Sequence, residues 1–207
     1  MNTQSNSWTV CPECQGRGQK VRRLRKKVRL RYQRELDEFV RLNREGLAPV
    51  RPKGHLDDCA HCGGSGLVYS ASRPVADAEH YPHVAIIGGG IGGVALALAC
   101  LHRRIPFTLY ERDSGFNTRS QGYGLTLQQA SKAIAGLGLF TLDDGVVSTR
   151  HLVHTTEGKV LGEWGVRKWK AGNVSAATQR TNVHIARQSL RLALLDELGG
   201  GDEVRWG

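Results

Sequence analysis

The sequence has 207 residues, with 29 Lys and Arg against 19 Asp and Glu for a net charge of +10, and 40% of its residues are apolar. That apolar share supports a packed core and excludes a wholly disordered chain. Its 26 glycines follow no Gly-X-Y period, which excludes a collagen-like rod. The charge excess lies in one segment: residues 17–53 hold 14 basic and 4 acidic residues, and the remainder is neutral. In chain order, the first twenty residues contain no apolar stretch of the kind a secretory leader needs. Residues 1–70 read as a cysteine module with a charged insert. Within it Val21, Leu24, Val28, Tyr32, Leu36, Phe39 and Leu42 recur at three- and four-residue steps, which predicts a helix over 20–45 stopped at Gly46. Residues 71–82 carry two prolines and mixed polarity and read as a linker. Residues 83–207 read as the opening of an α/β domain. A β-branched run at 83–87 predicts a buried parallel strand, and a helix follows over 92–103. A second strand at 107–110, a helix at 127–136, a strand at 183–185 and a helix at 188–198 come next. Residues 203–206 enter a further strand. The strand–helix–strand order is a βαβ unit.

The 18 residues from Val84 to Leu101 carry no charge and include GxxxG spacing, which alone would suggest a marginal membrane span. The glycine turn inside the run and the strand and acid after it decide against that, and no membrane span is expected. Five cysteines without an export signal point to metal binding in a reducing, cytoplasmic setting rather than to a disulfide framework.

Four of the cysteines form two pairs, Cys11-Pro-Glu-Cys14-Gln-Gly-Arg-Gly and Cys59-Ala-His-Cys62-Gly-Gly-Ser-Gly. Both read CxxCxGxG. Two residues between cysteines let both thiolates of a tight knuckle face one metal, and the glycines permit positive φ angles that aim amides at sulfur. Cys11, Cys14, Cys59 and Cys62 would close a tetrahedron with no open position, which suits a structural Zn2+; iron in a rubredoxin-like site stays open as the alternative. His61 is not needed as a ligand, and Cys100 reads as a small core residue. The pattern resembles the cysteine-rich zinc finger of DnaJ-type chaperones. That family carries four such repeats and this chain carries two, with nothing like a J domain. The resemblance therefore implies zinc and a fold-stabilising staple, not chaperone activity. The basic helix over 20–34 has two readings: a docking site for a polyanion or protein partner, or a solvated face whose apolar stripe packs on the knuckles or on a partner.

The central motif is Gly88-Gly-Gly90-Ile-Gly-Gly93, which follows a β-branched run, opens an Ala/Leu-rich helix and is followed by Phe107-Thr-Leu-Tyr-Glu111-Arg112. Glu111 lies 23 residues after Gly88, close to the dinucleotide-binding spacing. Gly88 would make the strand-to-helix turn, Gly90 would admit a pyrophosphate, and Gly93 would let helix and strand pack closely. The helix N-terminus offers free N–H groups to phosphate oxygens. Glu111 would accept hydrogen bonds from ribose hydroxyls and repel a 2′-phosphate, which disfavours NADP at this site.

Three stretches resemble the FAD-dependent aromatic-ring monooxygenases of the para-hydroxybenzoate hydroxylase type. They are the glycine turn with Glu111-Arg112, the segment Gly122-Tyr-Gly-Leu-Thr-Leu-Gln-Gln-Ala-Ser with Ile134-Ala-Gly-Leu-Gly-Leu, and Val183-His-Ile-Ala-Arg187-Gln-Ser-Leu190-Arg-Leu. The resemblance implies an α/β fold with an incomplete Rossmann-like FAD-binding domain, and the cysteine pairs put a small zinc-stapled module before it. It implies that the first stretch holds the ADP half of FAD, the second lies near the flavin, and Arg187 contacts the cofactor. It further implies NAD(P)H as co-substrate, dioxygen as oxidant and a small aromatic molecule as the substrate hydroxylated. The later Gly-Asp motif and the substrate-pocket sheet of that family are absent, so a truncated product is expected, with poor solubility in isolation. A zinc module is not part of the usual family pattern. Two other classes stay open. One is a zinc-knuckle binding module with a non-catalytic flavin remnant; the other is a flavin halogenase or reductase with the same opening fold. No catalytic residue is assigned. Trp164 and Trp169 could pack a core or edge a pocket, and His151 and His154 straddle a strand-like run without an evident partner.

Overall fold

In a computed structural model the described residues are 7–118, 122–128, 130–164 and 182–207. In chain order the elements are β1 (Ser7–Val10), β2 (Gln19–Val21), α1 (Lys26–Arg41), β3 (Leu56–Asp58), β4 (Leu67–Ser70), β5 (Val84–Ile87) and α2 (Ile91–His102). They continue with β6 (Phe107–Glu111), β7 (Gly124–Thr126), α3 (Ala130–Ala135), β8 (Val146–Ser148), β9 (His151–His154), β10 (Val160–Trp164), β11 (Asn182–Ala186), α4 (Arg187–Leu198) and β12 (Val204–Trp206). The chain forms two compact units, Cys11–Gly66 and the remainder. The smaller unit is narrower than the 1–70 module expected from sequence, because β1 and β4 pair antiparallel and both belong to the larger unit.

The smaller unit holds two knuckles, the antiparallel pair β2–β3 and helix α1. The helix starts at Lys26, not at residue 20. Val21 fits the helical stripe, but its backbone is taken by pairing with Leu56, and the Arg22 N–H donates to the His55 carbonyl at 2.7 Å. The helix ends at Arg41, ahead of the expected Gly46, because Asn43 and Arg44 adopt positive φ. No residue of α1 is buried.

In the larger unit β5, β6 and β12 form a parallel sheet in the order β12-β6-β5, with Val84 opposite Phe107 and Val204 opposite Leu109. This is the 3-2-1 half-sheet order of a dinucleotide-binding fold. The apolar run from Val84 to Leu101 is thus divided between a strand and a twelve-residue helix. No helix among the described residues is long and apolar enough to cross a membrane. Helix α2 buries Val94, Ala97 and Leu98, and α4 buries Leu190, Leu194, Leu195 and Leu198, at the three- and four-residue steps of a helical face. These pack with Ile86, Leu109 and Val204 from one face of the sheet. The other face is open among the described residues, with Ile87 81% exposed, so β5 is buried on one side rather than on both. A left-handed Gly199 ends α4.

A second sheet, β7-β11-β8, is antiparallel and leads directly into α4 at Arg187. Helix α3 covers only part of the expected 127–136, because Gln128 adopts a left-handed φ of +46 and Leu127 is tied by its N–H to the Val183 carbonyl beside this sheet. Residues 71–82 carry no helix or strand yet are held in place. Arg73 donates to the Leu198 carbonyl and to Glu203, and the Asp77 N–H donates to the Arg104 carbonyl. His151 and His154 have partners that the sequence did not reveal. The His151 ring stacks on Trp164 with centroids 5.3 Å apart, and His154 Nδ1 lies 3.2 Å from the Gly158 carbonyl. Trp169 lies outside the described residues.

Candidate functional site

The parallel sheet ends at an open cleft of about 580 Å³ where β5 turns into α2. Gly88 has φ +105, a region L-residues rarely enter, and its N–H donates to the Tyr110 carbonyl at 2.7 Å. A Cβ on Gly93 would lie 1.8 Å from the Gly88 carbonyl oxygen, so only glycine lets the helix start this close to the strand. A Cβ on Gly90 would meet nothing within 4 Å; it would project into open space. Gly93 is thus required by packing, whereas Gly90 leaves room beside the turn. Gly88, Gly90, Glu111, Arg112 and Arg187 line one cleft, and Gly93 sits behind them.

Glu111 closes the turn from the end of β6. Its Oε2 accepts the Gly89 N–H at 2.7 Å, and its Oε1 accepts the Asp113 N–H at 3.1 Å. Partial burial pushes its pKa up. The N–H groups of Asp113, Gly89 and Arg112, with the Arg191 guanidinium, outweigh that and hold it below the ordinary carboxylate value. The carboxylate keeps acceptor capacity for a further donor. Arg187 lies over the Tyr123 ring at 5.5 Å, which brings the second and third family-like stretches together at the cleft.

Sequence reasoning did not single out Arg191. It is only 6% exposed, and its Nε donates to the Gly89 carbonyl at 2.7 Å. Its guanidinium lies over Phe116 at 4.9 Å and Trp206 at 5.7 Å. The available signal was its spacing: Arg187 and Arg191 are four residues apart, hence on one helix face.

In the smaller unit the Sγ atoms of Cys11, Cys14, Cys59 and Cys62 lie within 4.8 Å of one another. Those of Cys14 and Cys62 are 3.7 Å apart, and a metal–sulfur tetrahedron with bonds of ~2.3 Å has edges of roughly 3.8 Å. The knuckles interlock reciprocally. The Cys11 N–H donates to the Gly66 carbonyl and the Cys59 N–H to the Gly18 carbonyl, each at 2.8 Å. A Cβ on Gly18 would lie 2.2 Å from the Gly64 carbonyl oxygen, and one on Gly66 2.6 Å from that of Gly16. Burial pushes the Cys14 thiol up to about 11. Burial acts upward on Cys62 too, but the Gly66 and Gly64 N–H groups bring it down to about 7. The set can hold a metal ion without His61, whose Nδ1 lies 3.7 Å from Glu13. Cys100 is buried in α2, apart from the set.

No family model matches the sequence. A protein of Arthroderma benhamiae named "Probable FAD-dependent monooxygenase" is 30% identical over 136 residues, covering 60% of this chain and 28% of the relative. FAD-dependent monooxygenase sor5 of Hypocrea jecorina is 42% identical over 59 residues, covering 28% of this chain and 13% of the relative. Among solved structures, HpxO of Klebsiella pneumoniae, complexed with FAD and uric acid, is 20% identical with a TM-score of 0.48, covering 62% of this chain and 31% of that one. The chain spans less than a third of the length of these proteins. The sequence relatives of this chain are FAD-dependent monooxygenases.

Proposed function

We propose that the protein is an FAD-dependent monooxygenase whose cleft between β5, α2 and β6 holds the ADP half of FAD. The observation that carries this is the convergence of the glycine turn, the ionised Glu111 and three arginines, Arg112, Arg187 and Arg191, on one cleft in a chain with such relatives. The residues fit the group: Gly90 leaves room for a pyrophosphate, and Glu111 keeps acceptor capacity for a ribose hydroxyl. When bound, FAD would supply the redox chemistry, taking reducing equivalents from NAD(P)H and using dioxygen to hydroxylate a small, aromatic substrate. The chain's part is binding and aim. The N-terminus of α2 directs free N–H groups at the phosphates, Glu111 orients the ribose, and Arg112 and Arg187 add positive charge beside the anionic cofactor. Flavin fluorescence titration of the 207-residue chain tests this. Saturable FAD binding that Glu111→Ala weakens supports it, and a chain that binds no FAD overturns it. NAD(P)H oxidation by the flavin-loaded protein separates a monooxygenase from a flavin-binding remnant.

For the smaller unit we propose a closed structural Zn2+ site at Cys11, Cys14, Cys59 and Cys62. Its donor set is all thiolate, and the knuckle amides point at sulfur, as in the 3.2 Å contact from the Gly66 N–H to Cys62. A second role for this unit, docking of a polyanionic partner along α1, is favoured by one observation. Among the described residues no carboxylate pairs with Arg23, Arg25, Lys26, Lys27 or Arg29, which gather at the positive end of the helix dipole. Salt-sensitive retention on polyglutamate or RNA, lost on charge reversal at these positions, supports it. Absence of retention at low salt overturns it.

A further inference from the structure

We propose that Arg191 is the positioning residue of the cofactor turn. By holding the Gly89 carbonyl it turns the Gly90 N–H outward as a donor for a pyrophosphate oxygen. This rests on the dinucleotide reading of the cleft. The Gly89 carbonyl and the Gly90 N–H belong to one trans peptide unit, so they point in opposite directions. With the carbonyl bound by Arg191 Nε at 2.7 Å, the N–H is directed away from it. The peptide unit before Gly89 is fixed as well, because the Gly89 N–H is held by Glu111 at 2.7 Å. Both planes of the turn are therefore locked, one by a cation and one by an anion. Gly90 caps α2, and its N–H finds no acceptor among the described residues.

The placement of Arg191 is hard to explain by stability alone. It sits on the buried face of α4 among Leu190, Leu194, Leu195 and Leu198, where an apolar side chain would pack without desolvating a charge. The guanidinium lies over the Phe116 and Trp206 rings, with Nη1 3.5 Å from the Phe116 carbonyl. Such a clamp fixes direction. It also places a cation where its charge favours ionised Glu111. Arg187 from the same helix and Arg112 and Asp113 from the same chain segment line the cleft around that carboxylate.

The test is titration of the 207-residue chain and its Arg191→Met and Arg191→Lys variants with FAD, ADP and adenosine, beside melting of each ligand-free protein. Loss of a charge-assisted bond that orients the phosphate donor is expected to weaken FAD and ADP by roughly tenfold or more. Adenosine, which has no phosphate, should change little. Arg191→Lys keeps a cationic donor and should fall between. The pH profile gives a second readout. FAD affinity in Arg191→Met should decay at a higher pH than in the parent chain, because Glu111 loses its favourable neighbour and protonates earlier. A merely structural arginine would lower all three affinities together with the melting temperature, and that result overturns the proposal. So does an Arg191→Met chain that binds ADP within about twofold of the parent. If the parent chain binds neither FAD nor ADP, the dinucleotide reading falls first and this proposal falls with it.

Discussion

The two units use glycine for the same purpose and stability for opposite ones. In Cys11–Gly66 the buried residues are Cys11, Cys14, Cys59, Gly18 and Gly66, with no buried aliphatic side chain. Its core is sulfur and backbone. In the larger unit the glycine turn rests on thirteen buried apolar residues, drawn mainly from α2, α3 and α4 and from the sheets β12-β6-β5 and β7-β11-β8. Glycine allows close backbone approach in both: Gly18 against Gly64 and Gly66 against Gly16 in one, Gly93 against Gly88 in the other. What holds each approach closed differs. A metal cross-link would do it in the smaller unit, and area removed from water does it in the larger.

The largest expected effect follows from that difference. A structural zinc contributes apparent binding energies of about 10–16 kcal/mol to small metal-folded domains, far beyond what an unburied helix and two short strands supply. Chelation, or Cys14→Ser with Cys59→Ser, should therefore unfold the smaller unit and leave the larger one folded. Limited proteolysis would then cut between residues 11 and 66 while a fragment from 67 onward survives. Equal protection of both units after chelation would break the comparison.

A smaller effect separates packing from binding within the glycine turn. Gly93→Ala drives a methyl into the Gly88 carbonyl and should cost about 3 kcal/mol or more, read as a fall in melting temperature. Gly90→Ala meets no atom and should cost under about 1 kcal/mol, yet place its methyl where the pyrophosphate would sit. Flavin retention should fall in Gly90→Ala without a matching loss of stability. A parallel loss of both quantities in the two variants would remove the distinction.

Local features were legible in the sequence, and long-range ones were not. Both CxxCxGxG knuckles and the strand–turn–helix around Gly88 are written in consecutive residues, because metal geometry and phosphate approach each demand a fixed short spacing. The Arg191 contact was invisible because its partner Gly89 lies 102 positions earlier. The pairing of β2 was hidden for a different reason. Val21 satisfies the helical period, so only its contact with Leu56 shows that it belongs to a strand. The open face of β5 could not be read either. A β-branched run looks the same whether one or both faces are covered, and Ile87 shows that one is not.

The smallest expected effect is in the acid response, where the two units should part again. Metal release from four thiolates takes up protons, so the smaller unit should lose its metal, and its fold, as pH falls. In the larger unit Glu197 and His102 titrate with opposed slopes between about pH 4.5 and 6.5. Burial pushes Glu197 up to about 7 from 4.5, so the folded state binds the extra proton and stability declines as pH rises between those values. Burial, aided by the charge of Arg103, pulls His102 down to about 4 from 6.5. Here the unfolded state binds the extra proton, and stability rises with pH between about 4 and 6.5. Over the shared window the slopes offset, so the larger unit should melt at nearly constant temperature while the smaller one does not. Glu197→Gln should expose the rising slope of His102, and His102→Phe the falling slope of Glu197. Two variants with the same flat profile as the parent would show that neither group is held away from its ordinary pKa. The contrast in acid response would then rest on the thiolates alone.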